Sequence, residues 1–468
     1  MKLCSIPSIP AAFQESCRVT CCAALLNSPL AAYLVLPSSP QYQHLVNSHY
    51  ATSAPLQPAC FFQPQSTEHV ALGGSILVES DDGSPECQFA IRGGGHTPWK
   101  GAAGVEGGVT IDLAMMNTTA YHPDTSSVTI MAGARWGDVY KALLPYGVAV
   151  TGGRSDTLGV GGLIVGGGLS YFGNKYGLAC DNVLNFEVVL SNGQSITASD
   201  TSHPDLFRAL KGGGNNLGIV TKVELRAFEQ GPLWGGLIGH GTADIPQQNR
   251  ALVHLTENLI NDPHAQVVTI WNYNGKSHST VVAIRLRTTD IYDLMMETAP
   301  PPGKRALFLT LTFANDVRVL EHLGTLHNAT IEAVAARVQS GDWDVISFMQ
   351  PFPAILGEAS KRKENVLGLD QMGEDHILYL LFLAWNSTAD DALFHEVGYE
   401  LIDKLKAYSE EIGAGSDYIY MNYAGRDQNP LRSYGEENFQ HLAAMARKYD
   451  PLGVFQMQCP GGWKVNRA

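Results

Sequence analysis

Four glycine-dense loops between Arg92 and Gly218 constrain the fold of this chain more than any other feature. The loops are Arg92-Gly93-Gly94-Gly95-His96, Gly152–Gly168, Gly212–Gly214 and the turn at Gly218. Glycine tolerates positive φ angles and lets backbone amides approach a ligand closely, and successive amides form anion-binding nests. One such loop is ordinary turn chemistry. Four of them, with spacers rich in Val, Ile and Leu, predict a backbone-lined trench for a large, planar, phosphate-bearing ligand.

The length and charge of the chain exclude several classes of protein. A chain of 468 residues predicts two or three domains or one large bilobed unit. The 31 Lys and Arg against 45 Asp and Glu give a net charge of −14. A chain this acidic is not expected to bind nucleic acid, which requires clustered basic residues. No run of about 18 uncharged apolar residues occurs, so we expect no membrane insertion.

The N-terminal sequence is a poor match to a signal peptide. Its apolar run from Leu3 to Phe13 is broken by Pro7 and Pro10. We therefore expect a soluble protein, and the sequence leaves its compartment open.

Six of the eight cysteines lie in the first 90 residues, at positions 4, 17, 21, 22, 60 and 87. They lack the paired spacing of zinc ligands, so no metal site is expected. Reduced core cysteines are the favoured interpretation for a chain of this length. A disulfide from Cys60 to either Cys21 or Cys22 is the alternative.

The chain divides into a glycine-rich part up to about Phe228 and a part with fewer glycines beyond it. Hydrophobic patterning predicts strands over Phe89–Ile91, Ser127–Ala132 and Asp417–Tyr423, a hairpin around Ser191-Asn192-Gly193, and helices over Trp136–Tyr146 and Glu436–Tyr449. Several familiar sites are absent from the sequence. There is no GxSxG nucleophile elbow, no HExxH zinc helix and no GxGxxG dinucleotide fingerprint.

In order and spacing, the motifs of this chain resemble those of a known flavoprotein group. The motifs are FAIRGGGHTPWKGAA (Phe89–Ala103), GGRSDTLGVGGLIVGGGLSYFGNKYGLACDNV (Gly152–Val183), PDLFRALKGGGNNLGIVT (Pro204–Thr221), YIYMNYAG (Tyr418–Gly425) and KYDPLGVF (Lys448–Phe455). The chain resembles the FAD-linked oxidases of the berberine-bridge-enzyme-like group, within the vanillyl-alcohol-oxidase flavoproteins. It is most similar to the fungal members that act in secondary metabolism.

The resemblance implies an α+β, two-lobed PCMH-type FAD-binding fold. Its substrate lobe is built on an antiparallel sheet backed by helices. The expected division is an N-terminal segment (1–55), an FAD-binding domain (56–228), a substrate-binding lobe (229–410) and a C-terminal segment (411–468) that returns to the FAD domain. The resemblance also leaves open a route through the secretory pathway.

The resemblance assigns cofactor roles to particular residues. Arg92, Gly93, Gly94 and Gly95 match the loop that holds the FAD pyrophosphate. His96 matches the histidine that is joined covalently to the flavin 8α-methyl group. The residues that match segments along the isoalloxazine ring and ribityl chain are Gly159, Val160, Gly161, Gly162, Asp181, Asn182, Gly218, Ile219 and Val220.

Two positions depart from the family pattern beside the flavin. Ser155 occupies the position of a cysteine that forms a second flavin bond in some relatives, so a single attachment through His96 is expected. Leu158 stands where relatives that react quickly with oxygen carry valine. A bulkier residue there can obstruct O2, which puts oxidase behaviour in doubt.

The C-terminal motif supplies the candidate catalytic residues. Relatives use a tyrosine of this motif as the base that removes a hydroxyl proton, beside an asparagine that contacts the flavin. We assign the base to Tyr423, with Tyr420 second, and the flavin contact to Asn422. Strand alternation would place Tyr420 and Asn422 on one face and Tyr423 on the other. Since a free tyrosine has a pKa of about 10, the site would need a nearby cation or hydrogen-bond donors.

The leading hypothesis is an oxidoreductase that transfers hydride from a small organic substrate to flavin N5 and is reoxidised by O2 to give H2O2. In a second hypothesis, favoured by Leu158, the flavin passes its electrons to another acceptor. In a third, the protein is a flavin-containing cyclase that shapes its substrate without net oxidation.

Overall fold

Short strands and helices alternate through the first half of the chain, as its glycine-rich turns predict. The computed structural model describes residues 21–81, 83–276, 279–280, 285–298, 303–339 and 341–468. The signal-peptide interpretation concerns residues 1–20, which include Cys4 and Cys17, and lies outside the described residues.

The elements of the first half are short. In chain order they are α1 (Cys21–Leu26), β1 (Leu34–Val35), α2 (Tyr42–Val46), β2 (Cys60–Phe62), α3 (Thr67–Glu79), β3 (Phe89–Arg92), β4 (Val109–Asp112), β5 (Thr119–His122), β6 (Ser127–Met131), α4 (Trp136–Leu143), β7 (Val148–Ala149), α5 (Val160–Val165), α6 (Gly173–Tyr176), β8 (Val183–Val189), β9 (Ser195–Ser199), α7 (Pro204–Leu210), β10 (Ile219–Arg226) and β11 (Phe228–Glu229). The predicted strands β3 and β6 and the β8–β9 hairpin are confirmed. Helix α4 ends before Pro145, which has no N–H to donate, and a 3-10 turn over Leu144–Tyr146 completes the predicted helical stretch.

The elements of the second half are longer. They are β12 (Leu233–Leu237), α8 (Ile245–Asn258), β13 (Thr269–Asn274), β14 (Ser279–Thr280), β15 (Arg285–Thr289), α9 (Ile291–Thr298), β16 (Arg305–Ala314), α10 (Val317–Arg337), β17 (Trp343–Phe352), α11 (Ala354–Lys363), β18 (His376–Trp385), α12 (Asp391–Glu411), α13 (Pro430–Ser433), α14 (Glu436–Tyr449) and α15 (Val454–Met457). The C-terminal helix α14 has the predicted bounds.

Two sheets form the first lobe. One has the strand order β1-β2-β4-β3, in which β2 and β3 run parallel to β4. The other is antiparallel, with the order β5-β6-β10-β8-β9. Both sheets and the C-terminal helix α14 contribute to one apolar cluster, which includes Phe89, Val128, Phe186 and Leu442. The chain therefore returns to its first lobe at the C-terminus.

An antiparallel sheet with the order β14-β13-β17-β18-β16 forms the second lobe. Side chains alternate between its two faces, as strand geometry requires. Leu309, Val345 and Leu381 point towards helices α10 and α12 and share an apolar cluster with them. The opposite face carries aromatic residues, among them Phe348 and Phe382, and faces the first lobe. The predicted α+β class, with an antiparallel sheet backed by helices, is confirmed.

Four of the N-terminal cysteines form disulfides, Cys21–Cys87 and Cys22–Cys60. The expectation of reduced cysteines is wrong for these four residues. Helix α1 packs beside α3 in the first apolar cluster, and this packing brings together sulfurs 66 and 38 residues apart in the sequence. Sequence alone could not specify that arrangement. Within the described residues the free cysteines are Cys180 and Cys459, and both are buried.

Within the described residues, every helix is too short or too polar to span a membrane.

Candidate active site

A cavity of about 910 Å³ lies between the first lobe and the aromatic face of the second-lobe sheet. Its size is near the upper end of ligand pockets, which hold roughly 300–1,000 Å³. The glycine loops of the first lobe form one wall. Strands β17 and β18 contribute Phe348, Gln350, Leu380 and Phe382 to the other.

The cavity wall brings together many of the residues selected from the sequence. Those that line it are Gly93, Gly94, Gly95, His96, Ser155, Leu158, Gly159, Gly162, Tyr420, Asn422 and Tyr423. They come from three segments far apart in the chain, so the fold assembles the site that the motifs indicated.

Other selected residues lie behind this wall. They are Arg92, Val160, Gly161, Asp181, Asn182, Gly218, Ile219 and Val220, none of which is among the residues that line the cavity. The side chains of Val160 and Ile219 pack in the first apolar cluster. These segments therefore support the wall from behind, and the structure places no side chain of this group at the cavity surface.

The polar members of that second group have structural partners. Arg92 forms a buried ion pair with Asp112 at 3.0 Å and donates a hydrogen bond to the Leu45 carbonyl. The Asp181 carboxylate accepts hydrogen bonds from the backbone N–H of Leu178 and the amide of Asn365. Because their polar atoms are engaged in this way, the side chains of Arg92 and Asp181 hold loops in place.

Two glycine loops cross closely at the cavity wall. A Cβ atom added to Gly94 would come within 2.4 Å of the Gly159 nitrogen, so only glycine fits at this crossing. The Arg135 guanidinium ties the same loops together by donating to the carbonyls of Gly94 and Thr157. At Gly162 the reverse holds, since no atom lies within 4 Å of an added Cβ. Gly162 therefore borders open space, as expected of a surface that receives a flat ligand.

His96 is held in a defined orientation at the cavity wall. Its Nε2 atom lies 2.8 Å from the Thr157 Oγ1 atom, and its ring stacks on Tyr50 with 4.5 Å between centroids. Burial, assisted by the positive charge of Arg135, lowers the pKa of His96 to about 3. The imidazole is therefore neutral near pH 7 and has a lone pair available for nucleophilic attack.

These features fit an FAD. The backbone of Gly93–Gly95 lies at the surface, Gly162 leaves room for a flat ring, and a neutral histidine stands beside them. The described residues contain no cluster of three or more potential metal ligands.

Tyr420 has a structural role in this arrangement. Its hydroxyl accepts hydrogen bonds from the backbone N–H groups of Gly168 and Leu169, at 3.2 and 2.8 Å, and from the Asn422 amide. Burial raises the pKa of Tyr420. With three donors at its hydroxyl and a ring that is fully buried, this tyrosine anchors the end of the Gly152–Gly168 loop.

Tyr423 has two side-chain donors at its hydroxyl. Its hydroxyl accepts hydrogen bonds from Arg154 Nη2 at 2.8 Å and from the Gln350 amide at 3.4 Å. Burial by itself would lower the pKa of Arg154. The neighbouring hydroxyls of Tyr423 and Tyr171 together have the larger, opposite effect, so the pKa of Arg154 is raised. The cation required beside the candidate base is therefore Arg154.

Sequence reasoning missed Arg154 and Gln350. Arg154 directly precedes Ser155, so an arginine inside a glycine-rich loop was the available signal. Gln350 gave no signal, because a single polar residue in a strand is usually solvent-facing or bonded within the sheet.

The predicted strand over Asp417–Tyr423 is wrong. The segment is a loop that ends in a 3-10 turn over Met421–Tyr423. The Tyr420 hydroxyl is bound by backbone amides of the first lobe, and within the described residues the segment is not part of any sheet. Tyr420 and Tyr423 consequently meet edge to face, with 5.1 Å between ring centroids, although strand alternation would have put them on opposite faces.

Comparisons with known proteins support FAD binding by this chain. The FAD binding domain family matches residues 58–199. The chain is 38% identical to the FAD-dependent monooxygenase drtC of Aspergillus calidoustus, over 96% of this chain and 90% of that protein. It is 36% identical to the FAD-dependent monooxygenase sdcF of Emericella nidulans, over 96% of this chain and 98% of that protein.

A solved structure shares the fold at low sequence identity. The glucooligosaccharide oxidase of Acremonium strictum, whose FAD is 6-S-cysteinyl and 8α-N1-histidyl, superimposes with a TM-score of 0.70 at 20% identity. The match covers 92% of this chain and 97% of that one. Together these similarities confirm the resemblance and the fold class that the glycine-rich motifs indicated.

Proposed function

Because this chain belongs to the family of FAD-dependent fungal monooxygenases, within the berberine-bridge-enzyme-like flavoproteins, it is an FAD-linked oxidoreductase, and we propose that it oxidises a small organic secondary metabolite. FAD held against the Gly93–Gly95 loop and Gly162 would supply the electron acceptor for hydride from a substrate C–H bond, and O2 would be reduced to H2O2 when the flavin is reoxidised. The protein orients the substrate and moves the accompanying proton.

The observation that carries this proposal is the hydrogen bond from Arg154 to Tyr423 at the cavity wall. Loss of hydride from an alcohol-type carbon requires loss of the hydroxyl proton, which we assign to the Tyr423 oxygen. Arg154 places a positive charge within hydrogen-bond distance of this oxygen. The Gln350 amide is a second donor to the same oxygen.

We assign covalent attachment of FAD to His96. The contact between Nε2 and Thr157 leaves Nδ1 as the free ring nitrogen, and the lowered pKa keeps the ring neutral. A neutral imidazole nitrogen would be able to bond to the 8α-methyl carbon, with a methyl C–H proton and the imidazole N–H proton released. The flavin would take up the electron pair, and O2 would reoxidise it. Ser155 has no sulfur, so a second attachment at that position is not expected.

The test begins by identifying the substrate, through metabolite profiles of the producing organism with and without the gene. The purified holoenzyme is then mixed with the accumulated compound in the absence of oxygen. Stoichiometric bleaching of the flavin would support the proposed oxidation. Product formation without any bleaching would contradict it and would favour the cyclase hypothesis.

A further inference from the structure

The cavity has an unusual charge for a chain of net charge −14. Arg154 and Lys175 line it, and among the described residues that form its wall there is no Asp or Glu. A cleft lined by one sign of charge concentrates ligands of the opposite sign. The charge of the cavity wall therefore favours anionic ligands.

Arg154 is the more deeply placed of these two cations. Its Nη2 atom binds Tyr423, but its Nη1 atom is buried and has no hydrogen-bond partner, and no carboxylate of the described residues pairs with it. A buried donor without an acceptor is destabilising, and more so on a charged group. A ligand oxygen reached by a small rotation of the guanidinium towards the cavity would remove this penalty.

Arg154 lies beside the second-lobe sheet, on the side of the cavity that we call the substrate side. Gln350, which shares the Tyr423 hydroxyl with Arg154, comes from strand β17 of the second lobe, and its Oε1 atom also has no partner. The same wall is apolar beyond these groups. Its apolar residues include Leu233, Trp234, Ile270, Leu286, Phe348 and Phe382.

The apolar wall continues to the protein surface. Trp234 is 73% exposed although it lines the cavity, and Ile270 and Leu286 are exposed beside it. Exposed apolar side chains at the rim of a pocket mark a ligand-binding surface. The substrate side thus combines an apolar channel with a single deep cation.

We propose that the substrate is a largely apolar, ring-bearing molecule with an anionic oxygen, and that Arg154 binds this oxygen while the ring lies along the apolar wall. This inference rests on the proposed function and deepens it by naming the substrate class. The oxygen is either a carboxylate or an ionised phenol or enol, and both present the same acceptor to a guanidinium.

Binding of model compounds to the holoenzyme tests this assignment without any turnover. Naphthoate is compared with methyl naphthoate, and naphthol at alkaline pH with methoxynaphthalene, by titrating changes in flavin absorbance. We expect the wild type to bind at least one anion about 10- to 100-fold more tightly than its neutral partner, as a hydrogen bond to a charged group would give. The pair that shows the preference identifies the oxygen as carboxylate or hydroxyl.

Variants assign the preference to Arg154. In Arg154→Gln the anion preference should disappear while the neutral compounds bind as before. Lys175→Gln, which removes the other cavity cation, should keep most of it. Arg154→Lys retains the charge and serves as a second variant in case Arg154→Gln misfolds. It should keep part of the anion preference, because one ammonium cannot bind both the Tyr423 oxygen and the ligand oxygen as a guanidinium does.

Two outcomes would overturn the inference. One is equal binding of anionic and neutral partners by the wild type in both pairs, and the other is an anion preference that survives in Arg154→Gln. Anaerobic flavin bleaching by the true substrate is a separate measurement, so a failure here is distinguishable from a failure of the proposed oxidation.

Discussion

Arg154 and Tyr423 are 269 residues apart in the sequence and are joined by a hydrogen bond of 2.8 Å from Nη2 to the phenol oxygen. The bond connects a glycine loop of the first lobe to the C-terminal segment, beside Gln350 of the second-lobe sheet. The glycine loop and the C-terminal segment must therefore both be folded before Tyr423 has its cation.

Tyr423→Phe removes the proposed base. We expect the rate of flavin reduction by substrate to fall about 10²- to 10⁴-fold, the usual contribution of general base catalysis. Anaerobic stopped-flow absorbance measures it. Tyr420→Phe is the matched control, since it leaves two backbone donors without an acceptor and should cost about 1–3 kcal/mol of stability with a smaller effect on rate. A larger rate loss in Tyr420→Phe than in Tyr423→Phe would reverse the assignment.

His96→Ala tests covalent attachment. Acid precipitation of the wild type should leave yellow, fluorescent flavin in the pellet, because denaturation does not break a histidyl bond. The variant should release its flavin to the supernatant. A colourless wild-type pellet would rule out the covalent bond while leaving FAD binding intact.

The position of Ser155 predicts a single attachment. A proteolytic digest of the wild type should contain one flavin-bearing peptide, and that peptide should include His96. Cys180 and Cys459 are buried and do not line the cavity, so neither can reach the flavin. Mass-spectrometric detection of flavin on any cysteine would show that the position of Ser155 in the motif has been misread.

Leu158→Val tests access of oxygen. The Leu158 side chain packs over Gly153 at the cavity wall, where a methylene group can fill a gap about the size of a water molecule. We expect faster reoxidation of the reduced enzyme by O2, an unchanged rate of reduction, and a stability loss below about 1.5 kcal/mol. If the wild type already reoxidises as fast as the variant, Leu158 is no barrier to oxygen.

His327 makes stability depend on pH. Burial lowers its pKa from 6.5 to about 4, and its Nδ1 atom lies 2.9 Å from the Ser347 hydroxyl. Between these pH values the unfolded chain binds the proton and the folded chain does not, so stability falls as pH drops below about 6.5, by up to about 3 kcal/mol near pH 4. Unfolding of the wild type and of His327→Gln at pH 7 and pH 4.5 measures this difference. Equal losses in both proteins would exclude His327 as the cause.

The sequence predicted those features that depend on only a few neighbouring residues. Glycines are required at Gly94 and Gly159, where two backbones cross, and such a requirement is visible as sequence. Helix α14 and the β8–β9 hairpin were likewise predicted, because their periodicity and turn residues are contained in a few neighbouring positions.

The remaining features depend on contacts between distant segments. Tyr420 breaks the predicted strand because its hydroxyl is bound by amides about 250 residues away. The partners of Cys21 and Cys22 depend on the packing of α1 on α3, and the role of Arg154 depends on Tyr423. The motif match assigned Asp181 to the cofactor, whereas its carboxylate is occupied by Leu178 and Asn365.

The disulfide Cys22–Cys60 closes the segment that contains Tyr50, whose ring stacks on His96. Cross-linking the ends of a segment restricts the conformations that the unlinked chain could otherwise explore. We therefore expect thiol status during production to govern cofactor loading. Enzyme made in a reducing cytosol should be loaded less completely than enzyme made in an oxidising host, even with the same riboflavin supply. The choice of expression host is thus a structural variable in any measurement of this enzyme's specific activity.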